Sequence, residues 1–173
     1  MNPGDQDRLY IEAQAEHGDS IRRLVRGYER DADRQRDLLQ EIHIELWRSL
    51  KRFDQRCSLR TWVYRVAHNV GADHLARRRK ASERWVELDA LSVDPTARAG
   101  EAREQRREDL AELQALIHRL EPLDRQIVLL YLEGETAAEI AEVTGLTPGN
   151  IATRIHRIKK VLKGAVHEHL ETE

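Results

Sequence analysis

Two stretches of this sequence gather arginine, lysine and small polar side chains at spacings suited to gripping nucleic acid. Residues 151–164 carry five bases and no acid, and residues 51–80 carry nine bases against Asp54 and Asp73. Cations at this density neutralise phosphates and release counterions, while arginine and asparagine can also pair with base edges in a groove. In the first stretch Arg154, Arg157, Lys159 and Lys160 fall outside the apolar row Ile151, Ile155, Ile158 and Leu162, with Asn150 at its start. In the second, Arg65, Asn69, Asp73 and Arg77 recur every four residues, read as opposite an apolar row of Trp62, Val66 and Val70 with Val63 and Ala67 adjacent. Phosphate binding depends on local rather than total charge, so two basic islands in a chain of net charge -2 imply two separate nucleic-acid contacts. The plainer alternative is two solvated helix faces.

The elements that must position these side chains read as helices throughout. Leu38, Ile42, Leu46 and Leu50, with Leu39 and Trp47 beside them, predict a helix over 35–50 whose other face is the polar stripe Asp37, Gln40, Glu41 and Glu45. A second helix is expected from Leu59 to about Arg79. Leu9, Ile21, Leu24, Val25 and Tyr28 suggest one or two more before them, giving a small bundle. From Trp85 to Gly100 the periodicity lapses, the text turns acidic and Pro95 intervenes, which predicts a flexible acidic linker over about 85–108. Helical periodicity resumes with Leu110, Leu113, Leu116, Ile117 and Leu120, and Pro122 can open a further helix closed by Gly134. Thr136 with Glu139 is a capping box that starts a short helix burying Ile140, Ala141 and Val143. Gly145 turns the chain, Thr147 can cap the next helix, and Pro148 suits its first position. A short helix, a glycine turn and a helix with one basic side is what placing a recognition helix in a major groove requires. The expectation is an all-α chain of two small domains, 1–84 and 109–173, the second a helix-turn-helix.

Composition narrows the function classes. Of 173 residues 35% are charged, and Leu, Ile, Val and Phe make up about a quarter, enough for a thin core. A single cysteine, Cys57, excludes an internal disulfide framework and a multi-cysteine zinc site and suits a reducing compartment. No apolar run is long enough to span a bilayer and the start does not resemble a signal peptide, so a cytoplasmic location is expected. His68 and His74, six residues apart, and the tail pair His167 and His169 read as solvated histidines rather than metal ligands.

In order, these stretches resemble the bacterial sigma factors of the extracytoplasmic-function group, compact members of the sigma-70 family that keep only its second and fourth regions. DLLQEIHIELWRSLKRF followed by SLRTWVYRVAHNVGADHLARRRK is similar to the second region, and LEPLDRQIVLLYLEGETAAEIAEVTGLTPGNIATRIHRIKK to the fourth. The resemblance implies a transcription initiation factor that binds core RNA polymerase, directs it to promoters and assists their melting. It assigns Asp37, Gln40 and Glu41 to the clamp helices of the largest polymerase subunit, with the flap as a further polymerase contact. It assigns Phe53, Arg56, Ser58, Arg60, Arg65, Asn69, Asp73 and Arg77 to the minus-ten element, the loop from Phe53 to Ser58 holding a base flipped from the non-template strand. Trp62 and Tyr64 are aromatics that could stack on bases, though the row of Trp62 with Val66 and Val70 favours a core role for it. Thr147, Asn150, Thr153, Arg154, Arg157 and Lys160 fall to the minus-thirty-five element, Arg154 foremost. The acidic linker would mimic RNA on its way to the active-site cleft. No cofactor, metal, catalytic centre or membrane insertion is implied, and an anti-sigma factor is a further partner known for many relatives. The chain departs from the family pattern at His43, His68, Ala76 and Ala152, which bears on promoter preference.

Two other classes compete. A stand-alone helix-turn-helix regulator would leave the 51–80 helix and its preceding loop unexplained. A nucleic-acid enzyme would need an acidic metal cluster or an activated Ser or Tyr, and the acids form no such constellation.

Overall fold

The computed structural model describes residues 3–84 and 101–170, and over them the chain is helical with no strand. The helices are α1 (Pro3–Tyr28), α2 (Ala32–Leu50), α3 (Leu59–Arg84), α4 (Glu101–Arg119), α5 (Pro122–Leu132), α6 (Ala137–Thr144) and α7 (Pro148–Leu170). The linker expected over 85–108 falls mostly on 85–100, outside the described residues, while 101–108 form the first two turns of α4.

Helix α2 is fixed at both its start and its inner face. The Asp31 side chain accepts from the Arg34 backbone N–H at 2.9 Å, and Leu38, Ile42, Leu46 and Leu50 are wholly buried against α1 and α3. The weak pattern before it is one long helix, whose Ala13, Ile21, Leu24, Val25 and Tyr28 complete the core of a three-helix unit.

Helix α3 keeps Val63 and Ala67 of the expected apolar face but corrects its leading row. Its buried stripe is Val63, Tyr64, Ala67, His68 and Gly71, whereas Trp62, Val66 and Val70 are only half-buried at the core's margin. Steps of four residues advance 400° at 100° per residue, so a row read at that spacing drifts about 40° per step round the helix. Gly71 belongs to the stripe because the Tyr28 ring lies where a side chain would be, 2.8 Å from the position of a Cβ. Gly71 thus gives Tyr28 its place.

His68 corrects the solvated reading. It is buried, its Nδ1 2.8 Å from the Tyr28 hydroxyl, and burial pushes its pKa down to about 3. The unfolded chain protonates near 6.5 while the folded protein stays neutral, so this contribution is full above pH 6.5 and is lost as pH falls from there toward 3. At pH 5 the loss should reach about 2 kcal/mol. Urea unfolding at pH 7 and pH 5 checks it: His68→Asn should flatten the pH dependence, and an unchanged slope would contradict neutral burial. His74 is also tied down, its Nε2 2.8 Å from the Glu29 carboxylate.

In the second half α4 and α5 meet at Arg125. Its buried guanidinium donates to the carbonyls of Ile117, His118 and Leu120, satisfying the exposed carboxyl end of α4. The expected capping box forms at α6: Thr136 Oγ1 accepts from Glu139 N, and the Glu139 carboxylate accepts from Thr136 N at 2.7 Å. Gly145 ends that helix at φ 76°, a conformation glycine adopts without strain. Thr147 caps α7 through the Asn150 N–H, and Ile151 and Ile158 anchor α7 in the core. The halves are packed together, α1 and α3 against α4, α5 and α6, rather than held apart.

Candidate nucleic-acid interface

Helix α7 presents Asn150, Thr153, Arg157 and Lys160 to solvent, with Thr147 exposed at its cap and Arg154 partly buried. Its arginines are not free rotors. Arg154 Nη1 and Arg157 Nη2 each donate to one oxygen of Asp124, on α5, at 2.7 Å, and Arg154 Nε donates to Asn150 Oδ1 at 2.9 Å. Asp124 therefore fixes two cations one turn apart and ties α7 to α5. Charge-assisted pairs of this kind reduce the freedom a side chain must lose on meeting a base. Thr153 bonds back to the Gly149 carbonyl at 2.9 Å, and Lys159 donates to Tyr131 Oη at 2.6 Å across the α5 side.

The α3 side is divided. Asn69, Asp73 and Arg77 do not lie opposite the Trp62 row as expected but line a cleft of about 570 Å³ between α2 and α3 together with Val66 and Val70, since residues three apart share a helix face. Arg77 crosses it to pair with Glu41 at 2.5 Å, so a residue assigned to DNA and one assigned to polymerase meet directly. Arg60 and Arg65 instead face the carboxyl-terminal half. Arg60 pairs with Glu135, and Arg65 donates to the Glu142 carbonyl at 2.6 Å. Helical drift separates them: from Arg65 to Arg77 the expected row turns by about 120°.

The loop before α3 is shaped by its own contacts. Phe53 is buried, packing edge-on against Trp62 with ring centroids 5.4 Å apart, which anchors the loop and withdraws that ring from solvent. Gln55 takes a positive φ of 62°, uncommon for a residue with a side chain, and Arg56 projects beside it with its Nε 3.1 Å from Asp54. The Ser58 hydroxyl accepts from Thr61 N at 3.0 Å and so caps α3. Trp62 donates to Ser49 Oγ at 3.0 Å and stays half-buried at the core's margin, whereas Tyr64 is buried and unavailable for stacking. On α2, Asp37 and Gln40 are exposed and Glu41 half-exposed.

Sequence reading missed Glu29, Arg125, Asp124 and the acids Glu133 and Glu135. The four acids each pair with a residue that is distant in the chain, and no spacing rule marks such a pairing, while Arg125 turns back on carbonyls of the preceding helix end. Only Asp124 carried a signal, as an acid in the first turn of a helix opened by Pro122.

Comparison with known proteins is consistent along the chain. Residues 14–81 match the family model of sigma-70 region 2, and residues 110–162 match that of sigma-70, region 4. The chain is 26% identical over 147 residues to the probable RNA polymerase sigma factor RfaY of Xanthomonas campestris pv. campestris, covering 83% of this chain and 36% of that one. It is 30% identical over 138 residues to the ECF RNA polymerase sigma-E factor of Haemophilus influenzae, covering 75% of this chain and 73% of the relative. The fold matches that of the sigma factor RpoE of Bartonella quintana, solved in complex with the anti-sigma factor NepR. The TM-score is 0.73 at 16% identity, with 91% of this chain and 96% of that one covered. The chain belongs to the extracytoplasmic-function group of RNA polymerase sigma factors, within the sigma-70 family.

Proposed function

We propose that the chain binds core RNA polymerase, brings it to promoters through two DNA contacts and assists opening of the duplex. The supporting observation is that one chain carries matches to regions 2 and 4 in that order, the second as a capped helix-turn-helix with a basic outer face. In this assignment residues 1–84 meet polymerase through Asp37, Gln40 and Glu41 and the minus-ten element through Arg56 and α3. Residues 109–173 meet the minus-thirty-five element through Thr147, Asn150, Thr153, Arg154, Arg157 and Lys160. The role is one of binding, the polymerase supplying the chemistry. An anti-sigma factor, the partner of the Bartonella quintana neighbour, is a third partner in this proposal.

Because Arg154 is held in place by Asp124 and Asn150, Arg154→Ala should cost about 1 to 3 kcal/mol of discrimination at the upstream element. Holoenzyme binding to promoters varied at that element measures it. Unchanged promoter preference would remove Arg154 from the assigned set.

A further inference from the structure

Asn150, Arg154 and Arg157, all assigned to the minus-thirty-five element, are joined into one hydrogen-bonded group by an acid outside that set. Asp124 stands in the first turn of α5 with its side chain 14% exposed, and each of its oxygens takes one arginine. Oδ1 accepts from Arg154 Nη1 and Oδ2 from Arg157 Nη2, both at 2.7 Å, and Arg154 Nε donates in turn to Asn150 Oδ1 at 2.9 Å. The arginines are the outer members, 29% and 61% exposed. Their other N–H groups bond to nothing among the described residues, so each guanidinium is held on one side and open on another.

Carboxylate and phosphate seek the same donors. Unheld arginines pair with the phosphates of any sequence, which strengthens binding everywhere and selects nothing. Reading a base edge needs a guanidinium aimed in one direction, because the bidentate pairing that discriminates bases is geometrically exacting. One acid behind two arginines meets both conditions. It cancels one of their two charges towards the DNA backbone, and it fixes the direction in which their remaining donors point.

We propose that Asp124 is a specificity-determining residue of the upstream contact, holding Arg154 and Arg157 back from phosphates and aiming them at base edges. It is a positioning residue that acts through the two arginines. The proposal rests on the assignment of α7 to the upstream element.

Asp124→Asn keeps the size of the side chain and removes its charge. Holoenzyme assembled from core polymerase and the whole chain is titrated against two fluorescein-labelled duplexes at several salt concentrations. One is a promoter that wild-type holoenzyme selects from a random library, the other the same promoter with its upstream element scrambled. For Asp124→Asn the expected results are binding to the scrambled duplex tighter by about threefold and a salt slope steeper by about one. The ratio of selected to scrambled affinity should fall by at least about fivefold. A role in folding alone would weaken binding to both duplexes and leave the ratio where it was; an unchanged ratio overturns the proposal. The double variant Arg154→Ala with Arg157→Ala keeps the two assignments apart. If it lowers the ratio while Asp124→Asn does not, α7 reads the promoter and only the part given to Asp124 is wrong. If it leaves the ratio unchanged, the assignment of α7 fails and takes the proposal with it. Added to the chain that lacks both arginines, Asp124→Asn should lower the ratio no further, and a full drop there overturns action through the arginines.

Discussion

Glu29→Ala should destabilise the amino-terminal three-helix unit by about 3 to 5 kcal/mol, the usual cost of leaving a buried charge network without its counter-charge. The Glu29 side chain is 1% exposed and fully engaged. It accepts from His74 Nε2 at 2.8 Å, from Arg78 Nη1 at 3.0 Å to both oxygens, and from the backbone N–H groups of Arg30 at 2.8 Å and Asp31 at 3.1 Å. One carboxylate therefore ties the end of α1, the start of α2 and the basic end of α3. Burial alone would raise its pKa, but the bonds from His74, Asp31, Arg78 and Arg30 together hold it below the usual carboxylate range. Its stabilisation is accordingly present above the unfolded value near 4.5 and is lost as pH falls through the lower folded value. Chemical unfolding at pH 7 measures the substitution. A domain typically holds only about 5 to 15 kcal/mol in all, so the variant should lose a large share of its stability. A loss under about 1 kcal/mol would show that the network contributes little.

Asp37→Arg should weaken association with core polymerase by about 2 to 5 kcal/mol, roughly thirtyfold or more, while the chain stays folded. Asp37 is exposed, and its helix is held from the opposite side by Leu38, Ile42 and Leu46, so the substitution touches nothing in the core. Reversing the charge turns attraction for a basic partner surface into repulsion. Competition against wild-type chain for core polymerase measures it, with thermal unfolding as the check on folding. Full competition by the variant would reject this placement of the polymerase contact.

What the sequence disclosed follows from where the physics is local. Capping of α6 by Thr136 and Glu139, the Gly145 turn, and the inward Ile151 and Ile158 depend on neighbours within one or two turns, and they stand as expected. The α2 face was equally legible because Leu38, Ile42, Leu46 and Leu50 are strongly apolar and span few turns. On α3 the same method failed. Its polar His68 is buried against Tyr28, its Gly71 makes room for that ring, and Trp62 lies at the margin, so the hydrophobic signal points about a quarter-turn away from the true core. Of the candidate site, α7 was readable as a basic helix, but its hold on Asp124 thirty residues earlier was not. Nor was the meeting of Arg60 with the Glu135 carboxylate and of Arg65 with the Glu142 carbonyl, because contacts between distant segments leave no periodic trace.

The most direct test adds the purified chain to polymerase freed of other sigma factors and sequences the transcripts made from a random promoter library. The expected result is initiation at discrete sites that share two upstream elements at a fixed separation, with no such selection by core polymerase alone. Transcripts that start no differently with the chain than without it would contradict the account.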